Sequence, residues 1–216
     1  MVDDVIGAVL AGGRGRRIGG DKPSLEVGDR TLVRHAVDAL RAAGLEVALV
    51  LRPHQPVPLT AQTAAMLRDA VEDAGPLGGL HALLRWLPVE WALVAPCDQP
   101  FLAPQLLRGL LTQQRAGFDA IVTRPDTRLE PLPGLYRRSC LPSVEAALAR
   151  GERSLRDLLA HLRVSTVPAR SVRRWDPELH SFVNVNTPAE LELARTIAAP
   201  AVDSGQRSTR PIGHRR

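Results

Sequence analysis

The sequence has 28 basic side chains, and only one of them, Lys22, is a lysine; its only asparagines are Asn184 and Asn186. A chain that uses arginine almost everywhere keeps a lysine where arginine fails. One such place is close to a phosphate, where a compact ammonium fits and a planar guanidinium does not. Lys22 closes the segment Leu10-Ala11-Gly12-Gly13-Arg14-Gly15-Arg16-Arg17-Ile18-Gly19-Gly20-Asp21-Lys22. Glycines after an apolar strand let backbone N–H groups approach a polyphosphate without obstruction by Cβ. Arg14, Arg16, Arg17 and Lys22 add positive charge to the same loop. No Gly-Lys-[Ser/Thr] follows, which excludes a Walker loop, and no helix starts directly after the glycines, as a dinucleotide fingerprint requires. A flexible surface loop is the competing reading; the lone lysine and the preceding strand favour phosphate.

Three further segments carry candidate chemistry. In Val94-Ala95-Pro96-Cys97-Asp98-Gln99-Pro100-Phe101, Asp98 ends an apolar run, where parallel α/β sheets bind their ligands. A carboxylate there suits Mg2+, which keeps waters and bridges phosphates. Alone, Asp98 reads rather as a turn or helix-cap aspartate; beside the glycine loop it reads as a metal ligand. Asp69 ends a short apolar run and can reach the same crevice, with Glu72 and Asp73 as competing acids. Gly75-Pro76-Leu77-Gly78-Gly79 then opens a helix whose N-terminus can face substrate. Lastly, in Ser181-Phe182-Val183-Asn184-Val185-Asn186-Thr187-Pro188-Ala189-Glu190, strand alternation puts Asn184 and Asn186 on one face. Thr187 with Glu190 reads as a helix start of the capping-box type. Paired amides on one face suit a polar ligand or the fastening of a loop, and the rarity of Asn here favours the site.

These segments need a frame to position them. Apolar runs at Val5–Leu10, Glu46–Leu51, Met66–Leu67, Trp91–Ala95, Asp119–Thr123, Leu129–Tyr136, Val164–Val167 and Phe182–Val183 read as strands. Helical spacing appears at Thr31–Leu40, Pro76–Leu87, Pro104–Arg115, Ser143–Arg150, Ser154–His161 and Pro188–Ala198. Alternating β and α units with apolar strands predict an α/β fold, a mostly parallel sheet with helices on both faces. The first half reads as the nucleotide side and the second as the acceptor side. One domain over residues 1–199 is expected, with 200–216 as a disordered basic tail.

Composition narrows the function classes. The net charge is +5, but residues 201–216 contribute +3, leaving +2 on the other 200 residues. That near-neutral body and an aromatic content of 3% argue against a nucleic-acid binder. No apolar run approaches the ~20 residues of a membrane span. The opening Met1-Val2-Asp3-Asp4 is acidic, unlike a secretory signal. Cys97 and Cys140 lie far apart with no metal-ligand spacing, which suits a reducing cytoplasm.

The four segments together resemble molybdenum cofactor guanylyltransferases of the nucleotidyltransferase superfamily, over about residues 5–198. The resemblance implies a Rossmann-like three-layer α/β sandwich and Mg2+-dependent transfer of GMP from GTP to molybdenum-molybdopterin, releasing pyrophosphate. By position it implies that Leu10, Ala11 and Gly12 contact GTP through backbone and that Lys22 binds its phosphates. It further implies that Asp69 meets the nucleotide, that Asp98 holds Mg2+, and that Asn184 and Asn186 lie on the acceptor side. Lys22 and Asp98 are the catalytic candidates. Proteins that deliver the cofactor or mature molybdoenzymes are the partner class that fits. Where relatives can offer an asparagine to the nucleotide, this chain has Leu51-Arg52-Pro53, so no residue is assigned there. Guanine and cytosine readers are not distinguishable by residue type, so cytidylyl or sugar-phosphate nucleotidyl transfer on the same fold stays open. So does a non-catalytic nucleotide-binding module.

Overall fold

The apolar runs form the middle of a sheet. The computed structural model describes residues 4–12, 18, 21–57, 63, 65–69 and 73–199. In chain order they form β1 (Val5–Leu10), a 3₁₀ turn (Lys22–Ser24), β2 (Glu26–Val27), β3 (Arg30–Thr31), α1 (Leu32–Ala42), β4 (Val47–Leu51) and β5 (Ala65–Arg68). There follow α2 (Gly75–Trp86), β6 (Trp91–Pro96), α3 (Pro104–Leu111), β7 (Ala120–Arg124), β8 (Glu130–Arg137), α4 (Leu141–Ala149) and α5 (Leu155–Leu159). The chain closes with β9 (Val164–Pro168), α6 (Ala169–Trp175), a 3₁₀ turn (His180–Phe182) and α7 (Pro188–Ala198). The arginine-bearing part of the glycine loop (Gly13 to Arg17, Gly19, Gly20) and the tail from residue 200 lie outside the described residues.

Seven strands form one sheet in the order β5-β4-β1-β6-β8-β7-β9, and only β8 runs antiparallel to its neighbours. This is the expected mostly parallel α/β architecture. β1 is buried at every position because helices cover both faces. Val5 and Val9 pack towards α1 and α3, while Ile6, Ala8 and Leu10 pack towards α2. The carboxyl ends of β1, β4 and β6 open at one edge of this sandwich. A third, smaller cluster joins Val27 and Leu32 to Val185, Leu191 and Ala194. It docks the β2–β3 hairpin against the C-terminal arm, beside those strand ends. Among the described residues no helix is long and apolar enough to cross a membrane.

The structure corrects the sequence reading at several elements. Phe182 and Val183 are not a strand: their amides donate to the carbonyls of Leu179 and His180 and close a 3₁₀ turn. The buried Asp176 carboxylate fixes that turn by accepting from the Ser181 amide at 2.8 Å. α3 stops at Leu111, four residues before the expected end, where the Thr112 hydroxyl turns back to the Gly109 carbonyl. The β2–β3 hairpin and α6 were not anticipated. The hairpin strands have two residues each, and α6 buries fully only Val172. Neither presents enough apolar period to stand out.

At the sheet edge away from the open strand ends, Asp119 ties β7 to the exit of β8 and the entry of β9. Its carboxylate accepts from the Arg163 amide, from Arg163 Nε and Nη2, and from the Ser139 hydroxyl, all between 2.9 and 3.1 Å. The Arg163 hydrogen bonds outweigh the effect of burial and lower the Asp119 pKa from 3.8 to about 2. A carboxylate depressed on folding stabilises above its unfolded pKa and loses that stability as pH falls towards the folded value. Thermal melts of Asp119→Asn should therefore lie below wild type at neutral pH and converge with it between about pH 4 and pH 2.

Candidate active site

Lys22 occupies the first position of its 3₁₀ turn, followed by Pro23, and is only 6% exposed. Its Nζ donates to Asp98 Oδ2 at 2.8 Å and to Asn186 Oδ1 at 2.7 Å. Three segments separated by most of the chain thus meet at one ammonium. The backbone reinforces the junction, because the Val185 amide donates to the Asp98 carbonyl at 2.9 Å. One residue further on, Glu190 accepts from the amides of Asn186 and Thr187, and the Thr187 hydroxyl accepts from the Glu190 amide. This is the expected capping box. The bond from the Asn186 amide is the largest influence holding the Glu190 carboxyl below its ordinary range.

The two asparagines differ in role. Asn186 faces Lys22, whereas Asn184 is exposed, with Oδ1 accepting from Gln99 Nε2 at 3.3 Å and Nδ2 donating to the Phe182 carbonyl. Gln99 is itself buried and stitches the segment after Asp98 to the C-terminal arm.

On the other side of Lys22 lies a cleft of about 950 Å³, lined among others by Leu10, Gly12, Asp69 and Asp98. Ala11 sits behind it with both backbone groups engaged: its amide donates to the Val50 carbonyl and its carbonyl accepts from Gln55 Nε2. Asp69 is buried at the end of β5, its amide bonded to the Leu51 carbonyl. The Gly78-Gly79 pair has a steric reason here. A Cβ on Gly78 would fall 2.2 Å from Asp69 Oδ2 and 2.5 Å from the Ala74 Cβ, so only glycine lets the Asp69 carboxylate lie against α2. Gly79 faces the cleft, where a Cβ would meet Leu10 Cδ2 at 3.3 Å. Cys97 lines the cleft beside Asp98, but burial, followed by the charge of Asp98, pushes its thiol up to about 12. It stays protonated and is no nucleophile at neutral pH.

Residues 7–167 match the MobA-like NTP transferase domain. The chain belongs to this family. The molybdenum cofactor guanylyltransferase of Desulfosudis oleivorans is 31% identical over 89% of this chain and 95% of that one. The crystal structure of molybdopterin-guanine dinucleotide biosynthesis protein A from Archaeoglobus fulgidus superposes with a TM-score of 0.78 at 30% identity, over 88% of this chain and 97% of that one. A 2-C-methyl-D-erythritol 4-phosphate cytidylyltransferase from Thermus thermophilus matches with a TM-score of 0.64 at 23% identity, over 88% of this chain and 97% of that one. That last likeness is one of fold alone.

Nucleotidyl transfer in a MobA-like family points to a divalent cation, and the donors present can be tested against it. Among the described residues no group of three His, Cys, Asp or Glu could hold a metal, so they offer no ligand set for a protein cage of the zinc type. Asp98 has one oxygen on Lys22, while Oδ1 has no hydrogen-bond or ion-pair partner among the described residues and the side chain is 22% exposed at the cleft. One free carboxylate oxygen beside a phosphate site fits a hard cation that completes its shell with phosphate oxygens and water.

Arg52, Gln55 and Arg153 are among the cleft residues that escaped the sequence reading. Gln55 is buried, and its amide bridges the Ala11 carbonyl, at 3.1 Å, and Asp21 Oδ1, at 3.4 Å. Arg153 donates to the Asp73 carbonyl, and its own carbonyl accepts from the Leu77 amide at the start of α2. Arginine is so common in this chain that nothing marked these two, and Gln55 lies in a Pro/Gln-rich loop without periodicity.

Gly78→Ala is expected to displace Asp69 while leaving helix content unchanged by circular dichroism. A misplacement of about 1 Å can lower kcat/KM up to about 100-fold. Unchanged kinetics would mean the Asp69 position does not matter to the reaction.

Proposed function

We propose that this MobA-like chain transfers GMP from GTP to the phosphate of molybdenum-molybdopterin, giving the guanine dinucleotide form of the cofactor and pyrophosphate, with residues 1–199 acting as one nucleotidyltransferase domain. The observation that carries the reading is the junction of Asp98, Lys22 and Asn186 around one buried ammonium, at the cleft edge of the sheet. The name and 31% identity of the Desulfosudis oleivorans relative support the substrates.

An ionised oxygen of the acceptor phosphate attacks the α-phosphorus of GTP in line. The new P–O bond forms as the bond to the oxygen bridging to the β-phosphate breaks, and pyrophosphate leaves with the electron pair. Because the attacking oxygen is already ionised at neutral pH, no strong general base is needed. The chain's part is positioning and charge neutralisation. Lys22 has spent two of its three N–H groups on Asp98 and Asn186 and offers the third to a phosphate oxygen. Leu10 and Gly12 line the nucleotide path, and Asp69 contacts the nucleotide beside α2. Asp98 Oδ1 is the atom that would hold Mg2+, which when bound neutralises charge on the triphosphate. Asn186 and Asn184, on the C-terminal arm, bound the acceptor side. Free Cys97 and Cys140 suit the cytoplasm, and a protein that delivers molybdenum-molybdopterin or receives the product is the partner expected there.

Pyrophosphate release assayed with GTP, CTP, ATP and UTP, each with Mg2+ and molybdenum-molybdopterin, should occur with GTP alone and only with the acceptor present. Release with CTP would reassign the base. Nucleotide binding without release from any of the four would leave a binding module. Asp98→Ala should be less stable than wild type yet still fold, as circular dichroism would check, and should lower turnover by roughly 100- to 1000-fold. Lys22→Arg should lose about as much despite keeping the charge, since a guanidinium does not fit the pocket between Asp98 and Asn186. Near-normal Mg2+-dependent rates in either variant would remove that residue from the mechanism.

A further inference from the structure

The loop after β4 contains a charged side chain that the mechanism above leaves unused. Arg52 lines the cleft, and its backbone is fully engaged: its amide donates to Gln55 Oε1 at 3.2 Å and its carbonyl accepts from Arg68 Nη1 at 3.1 Å. Its aliphatic stem lies against Gly12, close enough that a Cβ there would fall 3.1 Å from Arg52 Cγ. The guanidinium has no ion-pair or hydrogen-bond partner among the described residues, and its Nε is shielded from solvent with no acceptor. Arg52 as a whole is half-buried, but a shielded N–H without an acceptor is costly, so the group is poised for an acceptor brought by a ligand.

Which acceptor this is follows from the sheet. β4 and β6 flank β1 on opposite sides, so the residues that follow them stand about two strand spacings apart, roughly 10 Å. If the reacting phosphate lies at Lys22 and Asp98, beyond β1 and β6, the other end of the same nucleotide, its base, falls beyond β4. Guanine presents O6 and N7 as adjacent acceptors, which the planar fork of an arginine matches with two parallel N–H groups. Adenine replaces O6 with an amino donor, and cytosine also offers an amino donor. We propose that Arg52 is the guanine-selecting residue of this chain, its guanidinium donating to O6 and N7. The inference rests on the guanylyl-transfer reading and supplies the base discrimination that residue types alone do not give.

The test is nucleotide binding by full-length wild type, Arg52→Ala and Arg52→Lys, measured by titration calorimetry with GTP, inosine triphosphate, 7-deaza-GTP, ATP and GMP. Wild type should bind inosine triphosphate, which keeps O6 and N7, like GTP, and should lose about 10- to 100-fold on 7-deaza-GTP, which lacks N7. Arg52→Ala should lose a similar factor on GTP and no longer distinguish GTP from 7-deaza-GTP. Arg52→Lys keeps a long stem and the charge, which guards against a folding artefact, and should still lose the discrimination. The proposal is overturned if Arg52→Ala keeps the wild-type preference for GTP over 7-deaza-GTP. It is equally overturned if the variant loses the advantage of GTP over GMP with base preference intact, which would assign Arg52 to the phosphates. Wild type that binds no guanine nucleotide would overturn the guanylyl-transfer reading and this proposal with it, whereas tight GTP binding insensitive to Arg52 would overturn this proposal alone.

Discussion

An ammonium withdrawn from water must be compensated where it sits, and Lys22, 6% exposed, meets that demand with one carboxylate and one amide from distant parts of the chain. Removing either partner would leave a buried charge short of acceptors, which is far more costly than losing a surface pair. The demand reaches outward. Asp98 must follow β6 at the level of the 3₁₀ turn, and the C-terminal arm must pass beside it with Asn186 turned inward. The bond from the Val185 amide to the Asp98 carbonyl and the Glu190 capping box hold that arm in place.

Close approach is the second constraint, and it acts through missing atoms. Glycine at position 78 lets a carboxylate rest on a helix, glycine at 12 lets an arginine stem cross the end of β1, and glycine at 79 keeps the cleft wall low over Leu10. Each opens a place where polar groups from different strands face one volume. Strand order does the rest: β4, β1 and β6 are neighbours, so Arg52, Gly12 and Asp98 line up along one edge.

Much of this was legible in the chain itself. The central strands are short, apolar and bounded by Gly, Pro or Asp, so burial on both faces was readable from composition alone. Lys22 and Asn186 stood out because their residue types are so scarce that chance placement was a poor explanation. The misreadings have physical causes. Phe182-Val183 looks like a strand because two apolar residues carry no period, and the buried Asp176 that turns the backbone there acts from five residues away. α6 and the β2–β3 hairpin are surface elements stabilised by tertiary contacts rather than by their own patterns. Asn184 and Asn186 share a parity in sequence, yet only one reaches the lysine, because the arm is extended without belonging to the sheet. Gln55 and Arg52 owe their roles to which strand precedes them, and a linear reading does not supply strand order.

The partners of the Lys22 ammonium lie 76 and 164 residues downstream of it. A ribosome making this chain exposes Lys22 before the β1–β4–β6 core can be completed, and releases the arm bearing Asn186 only after that core. Until then the ammonium has at most half its shell and the small cluster around Val27 and Leu32 lacks Val185, Leu191 and Ala194. A nascent or clipped chain that lacks the arm and α7 can thus hold a nearly complete sheet without a closed catalytic edge, so competence arrives with α7 rather than with the core.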